Sequence, residues 1–97
     1  MAFIQIIELH SSKADEMQAV AEKWEKATQG KRTARRRVLC QDRNTPNRYF
    51  NIVFFDSYES AMENSNLPET QQLSADLASL MDAPPTFLDL DVVDDMS

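Results

Sequence analysis

The stretch RYFNIVFFD, residues 48–56, decides how the chain is built. Read as a strand, it sends Phe50, Ile52 and Phe54 to one side and Tyr49, Asn51, Val53 and Phe55 to the other, because successive side chains of an extended backbone point to opposite faces. Both faces are largely apolar, which marks a strand in the middle of a sheet with cover on both sides. Upstream, TARRRVLCQ (33–41) has the length of a second strand, and the connecting DRNTPN (42–47) is built of turn formers, so the two pair as a hairpin.

Further towards the N-terminus, FIQIIEL (3–9) is rich in β-branched residues and too short for a buried helix, so it reads as another strand that is apolar on both faces. In KADEMQAVAEKWEKATQ (13–29), Met17, Val20, Ala21, Trp24 and Ala27 recur at helical spacing. Ser12, with Asp15 three residues on, is the expected N-terminal cap, and Gly30, the only glycine, is the expected left-handed residue after the helix. Towards the C-terminus, Ser57 caps a short helix, YESAMEN (58–64), which Asn66, Leu67 and Pro68 interrupt. Pro68 suits the first turn of a third helix through ETQQLSADLASLM (69–81), striped by Leu73, Leu77, Leu80 and Met81 and stopped by Pro84 and Pro85. TFLDLDVVDD (86–95) alternates Leu88, Leu90 and Val92 inward with Asp89 and Asp91 outward, the pattern of a strand with one wet face.

The order strand, helix, strand, strand, broken helix, strand predicts an α+β, ferredoxin-like βαββαβ fold. Its four-stranded antiparallel sheet has the first and third strands in the centre and both helical segments on one face. The other face then lacks cover, so a homodimer is expected. Residues 1–97 read as one domain, a size at which self-association is a reasonable source of further burial.

One cysteine, Cys40, excludes an intrachain disulfide and points to a reducing, cytoplasmic setting. The N-terminal apolar run has no basic residue ahead of it and falls far short of the roughly 20 residues of a membrane span, so no membrane association is expected. The formal charge is −6, yet Lys31 to Arg48 holds seven basic residues and one acidic. On an edge strand, Arg35 and Arg37 share one face and Arg36 takes the other. The run therefore reads as edge protection, as a salt-bridged dimer contact or as an anionic-ligand clamp, rather than as a nucleic-acid stripe.

The strand ending in FFDS (54–57), then YESAMENSNLPET (58–70), a helix, and the PPTF turn (84–87) into LDLDV (88–92) together resemble the antibiotic-biosynthesis-monooxygenase superfamily over essentially the whole chain. That resemblance implies a dimeric α+β barrel, with two sheets packed back to back and a pocket between sheet and helices. It also implies a cofactor-independent monooxygenase of aromatic or polyketide-like compounds. The alternative is a non-catalytic dimeric module that binds a ligand or another protein. Phe55, Asp56 and Ser57 match the aromatic, acidic, Ser pattern that often ends the third strand. Where many members carry His, this chain has Asn64, an amide that is a poor ligand for haem iron and no proton shuttle.

Gln5, Tyr49 and Asn51 are polar positions in apolar central strands, and buried polar groups need partners. A small aromatic ligand is one such partner, with Trp24, Arg37 and Phe55 completing the expected binding set. Catalytic candidates are Asn51, Asn64 and His10, the only histidine and so the one obvious acid or base. One His and one Cys make no usual metal site, and a single glycine builds no phosphate loop. Neither a metal nor a cofactor is expected.

Overall fold

A computed structural model describes residues 2–96. Its elements are β1 (Phe3–His10), α1 (Ala14–Ala27), β2 (Arg36–Gln41), β3 (Arg48–Phe55), α2 (Tyr58–Ser65), α3 (Pro68–Ala78) and β4 (Thr86–Asp91). The strands form one sheet in the order β2-β3-β1-β4, with every neighbouring pair antiparallel. This is the expected ferredoxin-like arrangement, and the two strands that are apolar on both faces are the central ones.

The register pairs Phe3 with Phe55, Gln5 with Val53, Ile7 with Asn51 and Leu9 with Tyr49. These residues share the helix-covered face, where burial divides into two clusters. One joins Phe3, Val53, Phe55 and Ala61 of α2. The other joins Leu9, Met17 and Tyr49, with Leu39, Leu77, Leu80 and Met81 packed against them. The opposite face carries Ile4, Ile6, Val38, Phe50, Ile52, Phe54, Leu88 and Leu90 and has no helix over it. Arg36 lies over the Phe54 ring at 5.6 Å and Arg48 over Phe50 at 4.8 Å, so arginine stems and charges shelter part of this apolar surface.

Local details depart from the sequence reading in four places. The N-cap of α1 is Lys13, whose side chain makes no cap, and not Ser12. Fully buried Ser11 takes over that end, accepting from the Lys13 N–H at 3.0 Å and donating to the Leu80 carbonyl at 2.8 Å. Residues 33–35 are not part of β2; Thr33 is drawn to α2 instead, donating its hydroxyl to the Ser60 carbonyl and its N–H to Asn64 Oδ1. Helix α3 ends at Ala78, ahead of Leu80 and Met81. In β4 the alternation is present, but Leu88 and Leu90 face the uncovered side beside Ile6 and Ile4 and are exposed.

The expected caps hold elsewhere. Ser57 accepts from the Ser60 N–H at 3.1 Å, Pro68 opens α3, and Gly30 is left-handed at φ 79°. Among the described residues, no helix is long and apolar enough to cross a membrane.

Candidate functional site

A cleft of about 370 Å³ opens on the helix-covered side of the sheet, between the central strands and α3. Gln5, Ile7, Asn51 and Phe87 form its sheet wall, and Thr70, Leu73, Ser74 and Leu77 its helix wall. It lies within the size range of small-molecule sites, mostly apolar with a few polar groups. The cause is side-chain size. At the α2 end, Phe3 packs against Phe55 at 6.3 Å and edge-on against Tyr58 at 5.5 Å, which fills the layer. At the α3 end, Thr70 and Ser74 are short, and α3 contains no buried residue.

Three polar groups of the cleft, those of Gln5, Asn51 and Thr70, have defined orientations. Arg37 donates from Nη1 to Asn51 Oδ1 at 3.1 Å and from Nη2 to Glu25 Oε1 at 3.0 Å. A guanidinium only donates, so the Asn51 oxygen must face it, and the functionality Asn51 retains is its NH2. Gln5 donates from Nε2 to Asp89 Oδ1 at 3.2 Å, and a carboxylate only accepts, so Gln5 retains its carbonyl oxygen. Gln5 and Asn51 are diagonal neighbours on adjacent strands, a relation that sets backbone positions about 7–8 Å apart, and together they offer one donor and one acceptor. Thr70 Oγ1 accepts from Trp24 Nε1 at 2.9 Å and keeps its own O–H to give.

The expected site residues thus separate. Gln5 and Asn51 meet in the cleft. Trp24 and Arg37 stand behind Asn51, around a void of about 20 Å³ that has room for one water. Tyr49 and Phe55 do not line the cleft; each is committed to one of the two buried clusters. Buried Asn64 accepts the Thr33 N–H at 3.3 Å, a structural bond. His10 ends β1, one residue beyond the strand read from the sequence, on the uncovered side of the sheet, with its Nε2 at 2.8 Å from Glu8 Oε2. Sequence reasoning missed Thr70, Ser74 and Phe87. The signal available was small polar residues one turn apart on α3, beside Leu73 and Leu77.

Ionic groups cluster away from the cleft. Arg48, and then His10, hold the Glu8 carboxyl below the usual carboxylate range. Asp42 is held low first by the Asn44 N–H and also by Arg48, which donates to it at 3.0 Å. Among the described residues, no group of three or more His, Cys, Asp or Glu is placed to hold a metal.

No protein-family model matches the chain, and no curated protein matches it. Solved structures do. A protein from Caulobacter crescentus CB15, provisionally described as an antibiotic biosynthesis monooxygenase, superposes with a TM-score of 0.84 at 14% identity, over 96% of this chain and 91% of its own. This chain has its fold. Rv0793 from Mycobacterium tuberculosis matches over 100% of both chains, with a TM-score of 0.82 and 14% identity. A second protein provisionally described as an antibiotic biosynthesis monooxygenase, from Nitrosomonas europaea, gives 0.79 at 10% identity over 95% of this chain and 90% of that one. The architecture of this group is thus reached by a sequence that shares few of its residues.

Proposed function

We propose that this chain binds small, flat, largely apolar molecules carrying an acceptor oxygen, in the cleft between the sheet and α3. The observation that carries the reading is the cleft itself, largely apolar, in which two of the three lining amides, Gln5 and Asn51, have their orientations set by hydrogen bonds to Asp89 and Arg37. An aromatic ring would be held by area burial, and its oxygen by the Asn51 NH2 and the Thr70 hydroxyl.

The names of the similar structures suggest monooxygenation as the reaction, and the resemblance seen in the sequence implies that it runs without a cofactor. Such chemistry asks for a dry site with donors placed where an enolate or phenolate develops charge, and Asn51 and Thr70 are of that kind. The second reading, a non-catalytic binding module, is favoured by one observation. The cleft is lined by no Asp, Glu, His, Lys, Cys or Tyr among the described residues, and the carboxylate beside it, Asp89, is engaged by Gln5, so no general acid or base stands in its wall.

In the same proposal two copies pack their uncovered faces together as a dimeric α+β barrel. Ile4, Ile6, Ile52 and Phe54 form its centre, and the compartment is the cytoplasm. We expect neither haem nor nucleic acid as a partner, since Asn64 is spent on Thr33 and Arg35, Arg36 and Arg37 turn to different partners.

The test is fluorescence titration of the single tryptophan with 2-naphthol, 2-naphthylamine and naphthalene, with oxygen uptake followed in parallel. Naphthol should bind best, and Asn51→Asp should abolish that preference while retaining an oxygen for Arg37. Equal binding of all three would overturn the role of Asn51. Oxygen uptake with naphthol would decide for the enzyme, and binding without uptake for the module.

A further inference from the structure

A second pocket, of about 260 Å³, lies at the outer edge of β2 where the strand meets the end of α1. Arg32, Arg35, Arg36 and Arg37 all line it, together with Trp24 and Glu25. Because it wraps the edge of the sheet, Arg36 reaches it from one face and Arg37 from the other. Four arginines thus line one pocket in a protein whose formal charge is −6.

Their partners leave that charge only half answered. Arg35 is paired with Asp56, donating from Nε at 2.9 Å, and Arg37 is paired with Glu25. Arg32 donates only to uncharged acceptors, the Glu25 carbonyl at 2.7 Å and Thr28 Oγ1 at 3.3 Å, and lies 5.7 Å from the Trp24 ring centre. Arg36 rests on Phe54 and meets no carboxylate. Two carboxylates therefore stand against four cations.

Two unused donors point the same way. Arg37 Nε is buried and has no hydrogen-bond partner. The Asp42 N–H bonds the Arg48 carbonyl, so the ladder rhythm makes Arg36 and Phe54 a bonded pair and turns the Arg37 N–H to the open edge. Unanswered guanidinium charge beside an unpaired buried N–H calls for an incoming oxygen anion, because arginine accepts no hydrogen bond and its planar fork suits carboxylate and phosphate.

We propose that this edge pocket binds the phosphate or carboxylate group of a small molecule, independently of the apolar cleft. Its volume admits one anionic group, and four arginines line it.

Calorimetric titration of the full chain with inorganic pyrophosphate and with malonate, against chloride at matched low ionic strength, tests it. One of the two should bind saturably, one per chain, and should perturb Trp24 fluorescence through the Arg32 stack. The better of the two identifies phosphate or carboxylate as the preferred group. Arg36→Gln and Arg32→Gln should each weaken binding about tenfold, the loss of one charge-assisted hydrogen bond. Arg43→Gln, in the β2–β3 turn, should leave it unchanged. Arg36→Gln also gives up the contact with Phe54, so Arg32→Gln, at an exposed residue that lies over Trp24 and not on the uncovered face, keeps the test fair. Absence of saturable binding for both anions, or an equal loss in Arg43→Gln, overturns the proposal.

Discussion

The two faces of β3 are built from the same kinds of residue and have different fates. Tyr49, Val53 and Phe55 are buried beneath helices, while Phe50, Ile52 and Phe54, one step along the same backbone, stay half exposed. Hydrophobicity does not distinguish them; what lies above does. All three helices pack on one side, so the covered face is completed within the chain and the other is left open. Asn51 repeats the contrast in small, since its polarity is admitted to the covered face only because Arg37 answers its oxygen.

Substitutions on the two faces should differ in kind as well as in size. Phe55→Ala should cost the folded chain about 3–5 kcal/mol in chemical denaturation, whatever the protein concentration. Ile52→Asp should instead act through assembly. The wild type should sediment at about twice the 11.1 kDa chain mass with a concentration-dependent unfolding midpoint, and the variant should lose both properties. An Ile52→Asp protein that sediments like wild type would erase the distinction between the faces.

Two smaller changes sharpen the picture of the covered side. Asn64→Ala strands the Thr33 N–H and should lower stability by about 1–3 kcal/mol, with no effect on naphthol binding. Thr70→Val strands Trp24 Nε1, with a loss in the lower part of the same range of about 1–3 kcal/mol. Unlike the Asn64 change, it should also weaken naphthol binding, because a cleft donor disappears.

The smallest effect belongs to the uncovered side. Arg48 and His10 hold Glu8 below its ordinary pKa, so Glu8 adds stability above the normal carboxylate range and loses it as pH falls through the depressed folded value. Melting temperature followed downward from neutrality should therefore fall less steeply in Glu8→Gln than in wild type. Parallel curves would show that the pair is too well solvated to matter.

The strand pattern could be read from single residues because a period of two leaves little freedom. Once Ile52 and Val53 are both apolar, β3 must be central, and the sheet order follows. The Leu88 and Asp89 alternation was equally legible, but it names two faces without saying which one the helices cover. The site was only half legible, for a related reason. Gln5 and Asn51 stand out as polar residues in greasy strands, and antiparallel register brings them together. Tyr49 and Phe55 share their face yet serve the core, because α2 and the Leu80–Met81 segment close over both ends of the sheet. Only the three-dimensional position of α3 shows that the gap falls between them. The Ser12 cap failed where a buried neighbour, Ser11, had a better partner in the Leu80 carbonyl.

Helix α3 forms one wall of the cleft without burying a single residue of its own, and a proline break separates it from the well-anchored α2. An element so lightly held opens at a lower free energy than its surroundings. In amide hydrogen exchange, residues 68–78 should therefore lose protection earlier than β1 and β3, on a clock separate from that of α2. An occupant of the cleft would slow that clock for α3 alone, and the admission of ligand would be timed by the breathing of one helix.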